Sequence, residues 1–402
     1  MKPNEEFLSR MREATDILRT SGPAAATEAI RRALAGMDSD AGSDAAAEPD
    51  ATPPVTGKIE ARGPMPHARR PSPRRWPSAI PRDVIDDVEA HEIPRDTGAG
   101  KFLSGTFSNR AGSRRYKLYV PAGYRGETLP LVVMLHGCKQ DPDDFATGTG
   151  MNRLADEQRC LVLYPAQTQG ENGSNCWHWF QAADQTGLGG EPAIIAGMTR
   201  QIMREYRCDP ERIYVAGLSA GGAMAAILAS AFPELYAAVG IHSGLPAGAA
   251  HDLPSAFAAM KDAGTSAKIR PYREAVPVIV FHGDRDKTVE PRNGVVALAQ
   301  GLAIDHRGAD EFAWPGTVET VRGTSGSGRS FTRKIYRDRA GRITAEHWTI
   351  HGAGHAWSGG RRPGSFTDPK GPDASKEMLR FFFGHRRHAS DAHKASGSGG
   401  MG

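Results

Sequence analysis

The sequence predicts an α/β fold with a mainly parallel sheet, antiparallel leading strands and helices on both faces. Short apolar runs such as Leu131-Val132-Val133-Met134-Leu135 and Val278-Ile279-Val280-Phe281 recur along the chain, separated by stretches with helical spacing. These runs lack polar alternation, as expected of strands covered on both faces. One of them, Ile213-Tyr214-Val215-Ala216, leads through Gly217-Leu218-Ser219-Ala220-Gly221 into a small-residue helix, the strand–turn–helix step at which such folds place a nucleophile.

The chain has 402 residues, enough for one large domain with appendages or two ordinary ones. Its 50 Lys+Arg against 46 Asp+Glu leave a net charge of +4, too little to indicate a polyanionic partner, and no nucleic acid is expected. Residues 1–37 predict a helical hairpin. Phe7, Met11, Ala14 and Leu18 share one face, Ser21-Gly22-Pro23 interrupts, and Ala26, Ile30 and Ala33 resume the spacing before Gly36. Residues 38–95 read as a linker, first acidic and Ala-rich, then Pro/Arg-rich around Arg69-Arg70-Pro71. They offer too few apolar groups to offset the entropy of ordering. The globular part is expected over 96–385, and 386–402 form a His/Ser/Gly tail. Met1 to Glu6 lack the apolar core of a signal peptide, and no window approaches the roughly 18 apolar residues of a membrane span. The default expectation is therefore a cytoplasmic protein, with secretion as the alternative.

Within the globular part, 102–107 and 115–120 predict two strands around an Asn109/Gly112 turn. A buried strand over 129–135 is followed by one helix over 143–157, anchored by Phe145, Met151 and Leu154, and by a strand over 160–165. A polar, aromatic and glycine-rich excursion spans 167–190, and a helix follows over 194–206. After the central strand and helix come strands over 238–243 and 276–281, a helical insertion over 254–262, a helix over 293–303, and strands over 331–337 and 343–350. The four cysteines, at 138, 160, 176 and 208, have neither CxxC spacing nor partner histidines, so no zinc site is expected.

A serine hydroxyl needs a base to take its proton, and that base needs a carboxylate to hold its tautomer. In the α/β-hydrolase arrangement these follow in the order Ser, Asp, His, each on a loop at the carboxyl end of a strand. His282-Gly283-Asp284-Arg285-Asp286 follows the strand ending at Phe281. Asp286, deeper in the loop, is favoured as the acid, while Asp284 is expected to organise the turn or pair with Arg285. His351-Gly352-Ala353-Gly354-His355 follows the strand ending at Ile350, and His355 is the expected base, with His351 as a packing residue. An oxyanion hole would take the backbone N–H of Ala220, just after Ser219, and that of Cys138 in the His136-Gly137-Cys138 loop. Such chemistry requires no metal and no organic cofactor.

From about 100 to 385 the chain resembles the polyhydroxybutyrate depolymerase family of esterases, related to feruloyl and acetyl-xylan esterases. The resemblance rests on Leu135-His136-Gly137-Cys138, Asn175-Cys176-Trp177-His178-Trp179-Phe180, Gly217-Leu218-Ser219-Ala220-Gly221-Gly222-Ala223-Met224, His282-Gly283-Asp284-Arg285-Asp286-Lys287-Thr288-Val289 and Gly352-Ala353-Gly354-His355-Ala356-Trp357-Ser358-Gly359-Gly360. It implies a carboxylic ester hydrolase with Ser219, Asp286 and His355 as its triad, acting on hydroxybutyrate or hydroxyalkanoate oligomers or short-chain esters. The alternatives are a carbohydrate esterase of feruloyl or acetyl-xylan type and a polymer-granule or surface-binding protein that uses the N-terminal helices and the arginine-rich linker. Two departures from secreted depolymerases are the lack of a visible signal peptide and of a separate polymer-binding domain. Trp177, Trp179 and Trp357 are candidates to line a substrate groove. Cys138 and Cys176, both in loops expected near the site, are a candidate disulfide pair. Oligomeric state is not legible in the sequence.

Overall fold

A computed structural model describes residues 100–262, 269–304 and 313–387. The expected hairpin over 1–37, the linker over 38–95 and the tail beyond residue 387 lie outside the described residues.

The chain first forms an antiparallel hairpin, β1 (Lys101–Asn109) and β2 (Gly112–Val120), closed where Asn109 pairs with Gly112. The wholly apolar runs then become strands with every residue buried: β3 (Leu131–Leu135), β4 (Leu161–Pro165), β5 (Ile213–Leu218), β6 (Ala238–His242) and β7 (Val278–Gly283). β8 (Thr317–Thr324), β9 (Ser330–Arg337) and β10 (Ile343–Ile350) complete a ten-stranded sheet in the order β1-β2-β4-β3-β5-β6-β7-β10-β9-β8. From β4 to β10 neighbours in the sheet run parallel, and the outer pairs on both sides are antiparallel.

Alternate residues of each central strand feed two separate cores, one on each face. Leu131, Val133, Ile213, Val215, Val239, Val278 and Val280 join one cluster, while Val132, Met134, Tyr214, Ala216, Ile279 and Phe281 join the other. Helices α1 (Pro142–Thr149), α2 (Met151–Gln158) and α7 (Ala374–Phe383) cover the second cluster. The first is covered by α3 (Gly190–Glu205), α4 (Ala220–Ala231), α5 (Leu253–Lys261) and α6 (Arg292–Gly301). No helix of the described residues is long and apolar enough to cross a membrane.

Three elements differ from the sequence expectation. The single helix over 143–157 is two, because Gly150 takes a left-handed φ of 62° that ends α1 and starts α2. β8 was not expected; as an edge strand it buries almost nothing, so its sequence carries no apolar alternation. α7 follows an Asp373 cap that accepts from Lys376 N, and it buries Met378, Phe381 and Phe382 under the sheet. No element was expected over this aromatic run, which belongs to an amphipathic helix.

The order of the sheet reverses direction at β3: the chain goes from β3 out to β4, then back past β3 to β5. Open α/β sheets form their crevice at the carboxyl ends of strands at such a reversal, here between the ends of β3 and β5. The step from β5 into α4 is tight. A Cβ on Gly217 would stand 2.3 Å from the Gly221 backbone, and one on Gly221 would stand 2.1 Å from the Leu135 carbonyl oxygen. Backbone cannot move aside as a flexible side chain can. Gly221→Ala is therefore expected to lower stability by about 2 kcal/mol or more, as overpacking into fixed backbone does. Urea unfolding monitored by tryptophan fluorescence would measure it, and an unchanged midpoint would contradict this account of the elbow.

Candidate active site

Ser219 joins β5 to α4 with φ 56° and ψ −118°, a conformation that costs an L-residue on the order of 1–3 kcal/mol. It is held there by Ser219 N–H donating to His242 O at 2.9 Å and by Ala223 N–H donating to Ser219 O at 2.9 Å. Ser219 itself stays partly exposed. No side chain caps the start of α4, and Ala220 supplies the first N–H of the helix, which has no partner within the helix.

Facing the elbow is the loop after β3, and Gly137 lies against it: a Cβ there would stand 3.6 Å from Ser219 Cβ. The loop is fixed at almost every polar group. Gly137 N–H donates to Gln140 Oε1 at 3.0 Å, Lys139 N–H to Ser174 O at 2.7 Å, and Gln140 N–H to Gly137 O at 3.3 Å. Trp177 Nε1–H donates to His136 O at 3.0 Å, and Gln167 N–H donates to His136 Nε2 at 3.1 Å, leaving His136 Nδ1 to donate to Gly137 O. Burial lowers the pKa of His136, in keeping with the neutral ring this pattern needs. Among the described residues the Cys138 N–H has no partner, so one amide of this loop is left to bind something else. Cys138 and Cys176 form a disulfide that ties the loop to the excursion after β4. The excursion is itself anchored by buried Glu191, which accepts from Arg114 Nη2, His178 N and His178 Nδ1.

On the other side of the crevice, Asp286 Oδ2 and His355 Nδ1 are 2.7 Å apart. Asp286 Oδ1 accepts from the N–H groups of Thr288 and Val289, both at 2.9 Å. Its side chain has no exposed surface, and His282 Nε2 lies 3.4 Å from Oδ2. Burial opposes ionisation of Asp286, but the hydrogen bonds from His282 and His355, the charge of His355 and the Val289 N–H outweigh it. The carboxyl is held far below the usual carboxylate range. Asp284 has a different partner: it accepts from Gly352 N–H at 2.7 Å and meets His351 Nδ1 at 2.9 Å rather than pairing with Arg285. Among the described residues no hydrogen bond joins Ser219 Oγ to His355. Such contacts are commonly long until substrate is bound.

The tryptophan expectation is corrected. Trp177 has no exposed surface and spends its indole N–H on His136 O, while Trp357 is 1% exposed, stacks on His242 and donates to Ser375 Oγ at 3.0 Å. Trp179 is 5% exposed and packs edge-on against Phe180. Trp177 and Trp357 fill the core with their N–H groups satisfied and present no face to a ligand, and Trp179 is nearly as buried. An exposed aromatic is found instead at Phe366, 42% exposed and held at φ 49°. Its carbonyl accepts from Trp357 N–H at 2.7 Å, and the adjacent Ser365 carbonyl accepts from Gln140 Nε2 at 3.2 Å. Sequence reasoning also missed Gln140, His282 and His242. The available signal was their position, since His242 and His282 lie at the ends of buried strands and Gln140 sits in the loop that follows one, at the crevice side of the sheet.

Residues 114–306 match the family model described as esterase PHB depolymerase. Poly(3-hydroxyalkanoate) depolymerase C of Paucimonas lemoignei is 31% identical over 260 residues, which cover 62% of this chain and 60% of the depolymerase. Feruloyl esterase B of Neurospora crassa is 30% identical over 254 residues, covering 58% of this chain and 80% of the esterase. The solved acetyl xylan esterase from Aspergillus awamori superposes with a TM-score of 0.54 at 19% identity, over 71% of this chain and 100% of that one. The architecture is that of the α/β-hydrolases.

The cysteine arrangement is directly measurable. Cys160 and Cys208 are free and buried, and burial pushes each thiol up to about 12. Ellman titration is expected to find two thiols in denatured, unreduced protein and essentially none in native protein; four in the denatured sample would exclude the disulfide.

Proposed function

The chain belongs to the esterase PHB depolymerase family, and from that premise we propose that it is a carboxylic ester hydrolase working through Ser219, His355 and Asp286. The observation that carries this reading is the 2.7 Å contact between His355 and a buried, ionised Asp286, on loops that leave the same sheet edge as the Ser219 elbow. With its Nδ1–H held by Asp286, His355 presents Nε2 as the base. It takes the Ser219 proton as Oγ attacks the ester carbonyl, and the oxyanion is received by the N–H groups of Ala220 and Cys138. His355 then returns the proton to the leaving alcohol. Water, deprotonated in turn by His355, releases the acid from the acyl-enzyme.

For substrate we propose hydroxyalkanoate oligomers or short-chain esters, on the likeness to the Paucimonas depolymerase. A carbohydrate ester of feruloyl type is the second reading, favoured by the 80% coverage of the Neurospora esterase. Phe366 would supply the apolar contact first expected of the tryptophans, since it is exposed, its carbonyl is bonded to the His355 loop at Trp357 N–H, and the preceding Ser365 carbonyl accepts from Gln140. The Cys138–Cys176 disulfide supports an oxidising compartment, so secretion replaces the cytoplasmic expectation.

Ser219→Ala is expected to lower turnover of a short nitrophenyl ester by roughly three or more orders of magnitude. Asp286→Asn should cost on the order of 10⁴-fold through the wrong His355 tautomer, whereas Asp284→Asn should leave turnover within a few-fold. Full activity in Ser219→Ala, or equal losses in the two Asn variants, would sink the assignment. Phe366→Ala should reduce the ratio of kcat/KM for a hydroxybutyrate trimer to that for nitrophenyl acetate by about tenfold, a loss of hydrophobic contact of ~1.4 kcal/mol. An unchanged ratio would remove Phe366 from the substrate site.

A further inference from the structure

Ser219 and His355 come from distant parts of the chain and are not joined by a hydrogen bond, so their spacing has to be set by the framework. One residue is bonded to both sides. The His242 carbonyl accepts the Ser219 N–H at 2.9 Å, and the His242 ring accepts the Ser358 N–H through Nε2 at 2.9 Å. Ser358 lies three positions after His355. Its residue is 1% exposed, and its own hydroxyl is spent on Pro372 O at 2.8 Å.

The ring has no freedom to do otherwise. It is 1% exposed and stacked between Trp357 at 4.9 Å and Phe281 at 5.7 Å between centroids. Because Nε2 accepts, the ring proton sits on Nδ1, which meets Ser243 Oγ at 3.2 Å. The ionisable groups facing it are His282 at the end of β7, Asp286 in the following loop and His355. Burial lowers its pKa first, the two histidines lower it further, and Asp286 alone opposes them, so the ring remains a neutral acceptor.

The His355 loop contains Gly352, Gly354, Gly359 and Gly360, and its own turns close through Ala353 N–H to Ile350 O, Ala356 N–H to Gly354 O and Gly360 N–H to Trp357 O, with Gly359 N–H held by Asp368 O. Its leading half is fixed from the β7 loop: Gly352 N–H donates to Asp284, and Arg285 N–H donates to Ala353 O at 3.0 Å. Its trailing half is fixed at Trp357 N–H by Phe366 O and at Ser358 N–H by His242. Of these contacts, only His242 also reaches the nucleophile strand.

We propose that His242 is a positioning residue that sets the His355 loop against the Ser219 elbow by accepting the Ser358 N–H on its uncharged ring. The proposal rests on the Ser219–His355 reading above. A phenylalanine at this place keeps the ring between Trp357 and Phe281 but leaves the buried Ser358 N–H without an acceptor. A glutamine loses the ring and places an amide oxygen about where Nε2 was.

His242→Phe is expected to lower kcat for a nitrophenyl ester by about 10- to 100-fold, the effect of a displacement near 1 Å at a reacting group, with KM within about twofold. His242→Gln should recover most of that loss. Labelling of Ser219 by a fluorophosphonate should slow in parallel with kcat, with far-ultraviolet circular dichroism establishing that both variants are folded. Parental kcat in His242→Phe would overturn the proposal, and so would a glutamine variant that recovers nothing while folded. Ser219→Ala separates this from failure of the site itself. If that variant keeps its activity the esterase reading is wrong; if it is inactive while His242→Phe is not, only the positioning role is lost.

Discussion

The crossing of β5 into α4 leaves no space for a side chain at Gly217 or Gly221, two positions before and after Ser219, and much of the molecule is arranged around that contact. Gly221 lies against the Leu135 and His136 carbonyls, so the elbow and the loop after β3 are in van der Waals contact through bare backbone. Their closeness is what the proposed pairing of the Ala220 and Cys138 amides around an oxyanion depends on. The strained φ of Ser219 is tolerated because β6 grips its N–H and the first turn of α4 grips its carbonyl.

The fold was legible because its central strands are buried on both faces, which forces unbroken apolar runs that no surface helix would carry. The pairing of Asp286 with His355 was legible for a related reason: each follows such a run, so its distance from a strand end could be counted along the chain. What escaped was decided across the chain rather than along it. The break at Gly150 follows from a left-handed glycine that also lies close to Arg361, and nothing in the local spacing announces it. β8 has no buried face to give it a pattern. His242 reads as the end of a strand until Ser358, far away in sequence, is placed beside it.

The tryptophans carry a similar lesson. Trp177 and Trp357 sit in the segments that most resemble the family, and an indole beside a catalytic loop suggests a substrate wall. Each instead supports the site from beneath: one holds the His136 carbonyl, the other forms one face of the His242 stack. A buried aromatic whose N–H is satisfied stiffens the loop above it, and that contribution cannot be told from ligand contact by residue type alone.

The bond between Cys138 and Cys176 closes a loop with a sequence separation of 38 residues. By chain-entropy reasoning, such a closure disfavours the unfolded chain by about 4 kcal/mol. The same link ends three covalent bonds from the Cys138 amide nitrogen proposed to bind the oxyanion. Reduction would therefore act twice, by enlarging the ensemble of open chains and by freeing the loop that carries the Cys138 N–H, an amide without a hydrogen-bond partner among the described residues. For this protein, redox conditions that erode conformational stability are also those that would first blur the geometry of its crevice.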